Sequence, residues 1–312
     1  MLQGYKHQVA GHGCEDDMTG PVVDGNGFFF KPLQDGARGM CEVRFYQQVI
    51  ADASDAKDGP SKRPFKTSLA PLLRFLPQTY GICNLVVVEG REAATYLKME
   101  DLTFNYMHPC IVDLKIGFRT WYKGCTEDKT RKYREKDHMT TRAELGFSIS
   151  GMQVFDAVNQ RMERWPKTRC CGITSRKQVL EIFHRFFSCN HSGVSVATEV
   201  LDGEHGILES LLSLTTWFSE QRLIHFSSSS VLIFFEGAIN QGKQYSTPSG
   251  CTEPDHPEAY DITTEVSPNV RKARLCFIDF AHATSADGDL DTNVHSGLTS
   301  LMQVLREVLV SS

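Results

Sequence analysis

One strand-length apolar segment, residues 109–117, constrains the fold of this chain more than any other part of the sequence. It begins with Pro109 and ends with Gly117, residue types that mark the limits of regular structure. Asp113 and Lys115 lie two positions apart within it, so on an extended strand their side chains point to the same face. The segment therefore predicts a strand that offers a carboxylate and an ammonium group to one small anionic ligand. The alternative is a surface ion pair on an edge strand.

The composition limits the class of protein. With 312 residues, of which 41% are hydrophobic and 23% charged, the chain can bury a full core as one large or two small domains. It has no apolar run of membrane-spanning length, and its N-terminus lacks the hydrophobic stretch of a signal peptide. We therefore predict an intracellular protein without membrane insertion. The net charge of −5 argues against a general affinity for nucleic acid. The ten cysteines include no Cys-x-x-Cys pair, which favours reduced thiols over disulfides or zinc sites.

Hydrophobic periodicity and turn residues divide the chain into elements. The first third predicts a strand, a helix, a polar loop and the two arms of a β-hairpin, over residues 27–31, 40–50, 51–71, 85–89 and 94–99. Later residues predict four helices, over 126–136, 175–187, 207–223 and 291–310, and two buried strands, over 230–235 and 275–280. Residues 240–272 are rich in Pro, Ser, Thr and acidic side chains, which predicts a mobile surface insertion.

This order of elements predicts an α+β fold with two lobes. A small lobe built on an antiparallel sheet would occupy residues 1–102, and a larger α+β lobe would occupy residues 103–312. Ligands favour the crevice between such lobes, so we expect the charged ends of the strands to meet there.

A lysine and a glutamate in the first lobe are candidates for nucleotide binding. Lys31 ends an apolar strand, and Glu42 follows eleven residues later in the predicted helix. In kinase-like lobes, a helix glutamate holds a strand lysine so that its ammonium group lies over the nucleotide phosphates. Two solvated surface charges are the alternative, and the strongly apolar strand before Lys31 favours the functional interpretation.

A second acidic position lies at the end of another apolar strand. Asp279 follows Cys276-Phe277-Ile278, and His282 comes three residues later. A carboxylate at such a strand end can hold Mg²⁺ against nucleotide phosphates, because this ion prefers hard oxygen ligands and keeps several of its waters. A helix-capping aspartate and a core histidine are the alternatives.

Basic side chains are concentrated on the helix predicted over residues 126–136. Lys129, Lys132 and Lys136 are spaced i, i+3 and i+7 and share one face, and Arg131 lies among them. Several cations on one face suit a ligand with several phosphates. A solvated charged helix, or one that binds nucleic acid, is the alternative.

Two motifs resemble those of the inositol polyphosphate kinases. They are Pro-x-x-x-Asp-x-Lys-x-Gly at residues 109–117 and Ile-Asp-Phe-Ala-His at residues 278–282. The N-terminal His-Gln-Val-Ala-Gly-His at residues 7–12 and the serine-rich strand at residues 226–237 also resemble this family. The resemblance extends from His7 to the final helix, outside the loops at 51–71 and 240–272, and is greatest to the multikinase branch and its plant-like members.

The resemblance implies a two-lobed, kinase-like fold of the inositol polyphosphate kinase and SAICAR synthase type. It implies an enzyme that uses ATP and Mg²⁺ to phosphorylate hydroxyls of inositol tris- and tetrakisphosphates, in the cytoplasm, the nucleus or both. It assigns the nucleotide to Lys31, Glu42, Glu100, Asp101, Leu102, Asp113 and Asp279, with adenine on the backbone of residues 100–102 and the metal on Asp279. It assigns the inositol phosphate to Arg38, Lys115, Lys129, Arg131, Lys132, Lys136 and His282. The implied catalytic residues are Asp113, Lys115 and Asp279.

Other activities stay open at this point. An inositol trisphosphate 3-kinase is disfavoured by the short connection between Lys115 and Leu145, and an inositol hexakisphosphate kinase by the N-terminal motif. A non-catalytic scaffold with a kinase-like fold is a further alternative. One position departs from the family pattern, because Ser148 stands where plant-type members often carry arginine. Gln153 and Arg169 are the candidates to compensate for that cation.

Overall fold

Two five-stranded antiparallel sheets form the framework of the protein in a computed structural model. The model describes residues 2–10, 20–57, 68–88, 90, 92–122, 124–188, 195–203, 205–238 and 272–312. The first sheet contains β1 (Gln3–Gly4), β2 (Val22–Val23), β3 (Phe28–Pro32), β4 (Thr79–Leu85) and β5 (Ala94–Glu100) in the order β1-β2-β3-β5-β4. Helix α1 (Ala37–Lys57) follows β3, and its buried Val43, Phe45, Tyr46 and Val49 join the main core.

The second sheet has residues 109–116, from the segment with Asp113 and Lys115, on its central strand. It contains β6 (Pro109–Ile116), β7 (Phe147–Asp156), β8 (Arg161–Trp165), β10 (Ser230–Glu236) and β11 (Ala273–Ile278) in the order β11-β10-β6-β7-β8. A short third pairing joins β9 (Ile224–Phe226) to β12 (Ala283–Ser285). The helices of this part are α2 (Glu127–His138), α3 (Arg142–Leu145), α4 (Lys167–Cys170), α5 (Arg176–Phe186), α6 (Ala197–Leu201), α7 (Ile207–Glu220) and α8 (Thr292–Val310).

The two faces of β6 have different roles, because successive side chains on a strand point to opposite sides. Cys110, Val112, Leu114 and Ile116 are fully buried in the main core. Helices α5, α7 and α8 pack against this side of the sheet. The intervening positions belong to the opposite face, where Ile111 packs in a smaller cluster and Asp113 and Lys115 follow it. The core therefore covers one face of the sheet and leaves the charged positions on the other.

The backbone conformation and the surroundings of residue 117, at the end of the segment 109–117, both require glycine. Gly117 has a φ of 102°, a conformation that side chains disfavour. A Cβ atom there would lie 2.5 Å from the side-chain nitrogen of Asn293, near the start of α8. The chain can leave β6 beside α8 only because residue 117 has no side chain.

Most predicted elements are present, with differences at some boundaries. The predicted loop at 51–71 begins too early, because α1 continues through alanine-rich residues to Lys57, shortly before Gly59 and Pro60. A 3₁₀ helix also occupies Ala70–Phe75. The first arm of the predicted hairpin, 85–89, is wrong over 86–88, because β4 ends at Leu85 and Val86 is exposed, and Glu89 lies outside the described residues. The predicted insertion at 240–272 lies outside the described residues except for Lys272.

The predicted boundary between the lobes, at residue 102, stays a prediction. It falls between β5 of the first sheet and β6 of the second. In the part of the chain that the structure describes, no helix is long and apolar enough to cross a membrane.

Candidate active site

A cavity of about 790 Å³ lies between the two sheets. Side chains from distant parts of the sequence line it together. From the first lobe these include Lys31, Arg38 and Glu100, and from the second they include Asp113, Lys115, Lys136, Asp279 and His282. The fold thus brings most of the predicted site residues to one crevice.

Asp279 is the centre of an ion cluster in this cavity. Its Oδ1 accepts a hydrogen bond from Lys31 Nζ at 3.0 Å, and its Oδ2 accepts one from Lys115 Nζ. Lys31 Nζ also donates to Glu42 Oε1 at 2.8 Å, so the predicted strand–helix pair is formed. Glu42 is only 2% exposed, so its carboxylate holds Lys31 from the buried side of the cluster. The cluster joins a strand and helix of the first lobe to two strand ends of the second.

The charges of this cluster stabilise one another. Burial alone would raise the pKa of Asp279, but the ammonium groups of Lys115 and Lys31 hold it well below its usual range. Burial would likewise lower the pKa of Lys31, and the carboxylates of Asp279 and Glu42 raise it above its usual range instead. Both lysines and Asp279 are therefore charged near neutral pH.

The backbone of Asp279 has an unusual conformation at the end of β11. Its φ is 67°, in the left-handed region that few residues other than glycine and asparagine or aspartate adopt. The turn occurs directly after β11, and Ser229 Oγ donates to the Asp279 carbonyl oxygen at 2.8 Å. The serine-rich strand, which resembles the family pattern, thus braces this turn.

Asp113 is the most buried carboxylate beside the cluster. It is 5% exposed, and among the described residues its Oδ1 has no hydrogen-bond partner. Burial raises the pKa of Asp113; Lys115 opposes this effect and the negative charge of Asp279 adds to it. A buried acceptor without a partner is costly, so this oxygen is available to a ligand hydroxyl or to a water of a bound ion.

The basic helix only partly matches its prediction. Tyr133, Lys136 and Asp137 line the cavity from α2. The helix begins at the cap Thr126, as expected from the sequence. Lys132 is exposed and does not line the cavity, and Arg131 forms an exposed ion pair with Asp128 at 2.9 Å. Their assignment to substrate stays a prediction that this geometry does not favour.

His282 lies where several cations converge. The ring of Tyr122 stacks on it, with the ring centroids 4.6 Å apart. Burial lowers the pKa of His282, and the positive charges of Arg38 and Lys129 lower it further. This part of the cavity is therefore electropositive even before the histidine itself is protonated.

At the end of β5, the side chains and the backbone have separate roles. Glu100 accepts from Arg274 Nη2 at 2.6 Å and from the Gln78 N–H at 3.1 Å, and Asp101 accepts from Thr103. These carboxylates hold the connection between the lobes. Within the described part of the chain, no residue accepts a hydrogen bond from the Leu102 N–H, and Leu102 lines the cavity. The Leu102 N–H is therefore open to a hydrogen-bond acceptor of a ligand.

The donor set fits a metal that arrives with a nucleotide. Among the described residues, no group of three or more His, Cys, Asp or Glu side chains forms a self-sufficient metal site. Asp279 and Asp113 nevertheless both line the cavity with hard oxygen atoms, near enough for the charge of one to act on the other. Mg²⁺ is commonly held by one or two carboxylates, with phosphates and waters completing its shell.

Some cavity residues were not predicted, and some predicted substitutes lie elsewhere. Ser148 and Arg142 line the cavity beside the second lobe's sheet, and Lys167 and Cys171 line it from the α4 region. No short motif marks Arg142, Lys167 or Cys171. The resemblance to the family singled out Ser148 only as the position where plant-type members often carry arginine, and the register of β7 on β6 places it opposite Lys115.

Neither candidate to compensate for the missing cation at position 148 lines this cavity. Gln153 is buried and donates to the Pro109 carbonyl oxygen at 2.8 Å. Arg169 lies 3.5 Å from the centroid of the Trp165 ring, on another part of the surface. Their role as substitutes for that cation stays a prediction that this geometry does not favour.

A small lobe whose strand and helix supply a lysine–glutamate pair, joined across a cleft to a lobe that supplies an acidic strand end, defines a kinase-like phosphotransferase fold. A family model described as inositol polyphosphate kinase matches residues 96–306. Inositol polyphosphate multikinase alpha of Arabidopsis thaliana is 32% identical over 320 residues, which covers 100% of this chain and 97% of that protein. The chain belongs to the inositol polyphosphate kinase family.

Further comparisons agree with this membership. The inositol polyphosphate multikinase of Homo sapiens is 29% identical over 232 residues, which covers 74% of this chain and 50% of that protein. A solved structure of an inositol phosphate multikinase has a TM-score of 0.61 at 26% identity and covers 86% of this chain and 99% of that one. An S. cerevisiae multikinase solved with ADP and Mn²⁺ has a TM-score of 0.58 at 19% identity, covering 91% and 99%. The predicted α+β, kinase-like fold is confirmed.

Proposed function

We propose that this chain transfers the γ-phosphoryl group of ATP to hydroxyls of inositol tris- and tetrakisphosphates. The observation that carries the proposal is the convergence of Lys31, Lys115 and Asp279 in one cavity. They lie next to a wall of the cavity that we call the electropositive wall, formed by Arg38, Lys136 and His282. The names of the multikinase relatives and the structure with ADP and Mn²⁺ support it.

On the nucleotide side, three features of the cavity have distinct tasks. Leu102 offers its N–H to the base, and Lys31, fixed by Glu42, lies where it can hold the phosphates. Asp279 would hold Mg²⁺, with Asp113 beside it, and the bound ion neutralises phosphate charge. The Asp279 carboxylate, which Lys31 and Lys115 share in this structure, is in the right place to exchange a lysine for the metal ion.

Transfer itself requires little covalent chemistry from the protein. The transition state of phosphoryl transfer is loose and spreads negative charge over the moving group, so placement and electrostatic stabilisation dominate. Lys115 is the cation nearest to Asp279 from the second lobe, and its pKa is raised by the neighbouring carboxylates despite burial. Lys115 would stabilise the developing charge, and the buried Asp113 would orient a hydroxyl.

On the acceptor side, the electropositive wall would bind the phosphates of the inositol ring. Arg38, Lys136 and His282 line the cavity there, and Lys129 lies close enough to influence His282. The resemblance to the family supports the same assignment, and with it a location in the cytoplasm, the nucleus or both.

The direct test is a product analysis. Purified protein is incubated with radiolabelled ATP, Mg²⁺ and defined inositol phosphates carrying three to six phosphates. We expect labelled products from tris- and tetrakisphosphates. Label only on the hexakisphosphate would favour the hexakisphosphate kinase alternative, and a single product from the 1,4,5-trisphosphate would favour the 3-kinase. Nucleotide binding without transfer to any acceptor would identify a scaffold and overturn the proposal.

Two lysines on α2 provide a matched test of whether the electropositive wall binds the inositol phosphate. We expect Lys136→Met to raise KM for the inositol phosphate about 10-fold, because it removes a charge-assisted hydrogen bond from the cavity. The control is Lys132→Met on the exposed side of the same helix, for which we expect a change of less than about 2-fold. Steady-state kinetics with each substrate varied in turn distinguish them. Equal effects of both substitutions would show that α2 acts only through its overall charge.

Proton uptake tests the place of His282. Because burial and nearby cations keep its pKa low, His282 is mainly neutral in the free protein near pH 7. A phosphate placed against the ring raises that pKa. Binding should therefore take up protons, and affinity should rise as the pH falls from the pKa of the complex to that of the free protein. Calorimetry in buffers of different ionisation enthalpy measures the uptake, which we expect His282→Gln to reduce. Unchanged uptake in this variant would place the histidine outside the contact.

A further inference from the structure

Arg142 is a buried arginine with unused hydrogen-bonding capacity at the wall of the cavity. It is 5% exposed, lies at the start of α3 and lines the cavity. Its Nη2 donates to Ser148 Oγ at 3.0 Å, whereas its Nη1 has no hydrogen-bond partner within the described residues. A guanidinium group that is removed from water with an unmade hydrogen bond is costly, unless a ligand completes its contacts.

The position of Arg142 connects it to the reaction centre. Ser148, which accepts its hydrogen bond, lies opposite Lys115 in the pairing of β6 with β7. Residues directly opposite on antiparallel strands project from the same face of the sheet. Asp113 also lies close enough for its charge to act on the guanidinium. The guanidinium is therefore next to the strand positions that hold Asp113 and Lys115.

The carboxylate closest to Arg142 does not satisfy it. Asp137 Oδ1 lies 3.5 Å from Arg142 Nε, but Asp137 already accepts from Thr120 N at 2.9 Å and from Thr120 Oγ1 at 2.8 Å. Lys136 and Lys167 line the same cavity. The cavity that Arg142 lines thus holds further cations, and its unpaired Nη1 is open to an anion there.

We propose that Arg142 binds a phosphate group of the inositol phosphate and so supplies, from α3, the cation that position 148 lacks in this chain. This inference rests on the proposed function and names a specificity-determining residue for it. The planar fork of a guanidinium matches phosphate oxygens better than a lysine ammonium does. Ser148 is smaller than arginine and accepts a hydrogen bond from one arm of the fork, while Nη1 is available to the ligand.

Moving the cation between the two positions tests the proposal. We expect Arg142→Ser to raise KM for the inositol phosphate about 10- to 100-fold, the loss that follows from a charge-assisted contact. KM for ATP should stay within about 2-fold, since the nucleotide site is separate. The double variant Arg142→Ser with Ser148→Arg should recover most of the lost affinity, because the new guanidinium starts opposite Lys115. The control is Arg176→Ser, which removes an exposed arginine that pairs with Glu307.

A purely structural role for Arg142 gives a different pattern. If the arginine only braces Asp137, then Arg142→Ser should lower the melting temperature, impair both substrates alike, and gain nothing from Ser148→Arg. That pattern, or an unchanged KM for the inositol phosphate, overturns the inference. Should Arg142→Ser not fold, Arg142→Lys keeps the charge without the fork, and we expect it to raise the same KM selectively.

Equilibrium binding separates this inference from the proposed function. Titration of the protein with an inositol phosphate, without nucleotide, measures the contribution of Arg142 even if no transfer occurs. Wild-type binding that is lost in Arg142→Ser supports the inference when the kinase assay is negative. The absence of wild-type binding overturns it.

Discussion

Replacing Asp279 by asparagine is expected to lower kcat at least about 1000-fold, since metal and phosphate positioning supply most of the catalysis of phosphoryl transfer. The substitution keeps the shape of the side chain but removes the charge that Lys31 and Lys115 share. Asparagine also tolerates the left-handed φ of 67° at this position, so the turn after β11 is preserved. Initial rates with saturating ATP and inositol phosphate, together with circular dichroism, measure both effects.

The control for this substitution is a carboxylate outside the ion cluster. Asp128 forms an exposed ion pair with Arg131 on α2, so Asp128→Asn should leave kcat almost unchanged. Full activity in Asp279→Asn would remove this residue from the mechanism. Loss of the folded spectrum would instead assign it a structural role.

Lys115→Met is expected to lower kcat about 100- to 1000-fold, the effect of removing one group that stabilises charge in the transition state. The methionine retains the length of the side chain and loses only the ammonium group next to Asp279. KM for ATP should change much less than kcat, because Lys31 remains in place to hold the nucleotide. Single-turnover kinetics isolate the transfer step.

A lysine on another strand provides the comparison for Lys115. Lys98 lies on β5, with its ammonium group 3.6 Å from the centroid of the Phe28 ring, and it does not line the cavity. Lys98→Met should therefore retain nearly normal kcat. A rise in KM for ATP without a change in kcat for Lys115→Met would move this lysine from the reacting group to nucleotide binding.

The sequence predicts those parts of the fold that depend on local signals. The apolar strand with its paired charges, the helix that starts at Thr126 and the final amphipathic helix all have physical causes within a few residues, and the structure confirms these elements. The first hairpin arm was wrong because residues 86–88 have β propensity, whereas pairing with β5 selects Thr79–Leu85 instead.

The candidate site depends more on contacts between distant residues. The motifs predict that Lys31, Lys115 and Asp279 act together, but only the packing of the two lobes shows that both lysines bind the same carboxylate. Arg142 carries no motif, and its relation to Ser148 follows from how α3 meets the start of β7. Periodicity contains no information of this kind, because it describes single elements.

The contact of Lys31 with Asp279 links the first sheet to the second across the cavity. When ATP and its metal enter, they compete with the protein for these same charges. Nucleotide affinity is then the difference between two sets of ion pairs, so a substitution that weakens the internal set can tighten nucleotide binding even as it slows catalysis. By the same competition, the occupancy of the cleft controls how strongly the two lobes are held together.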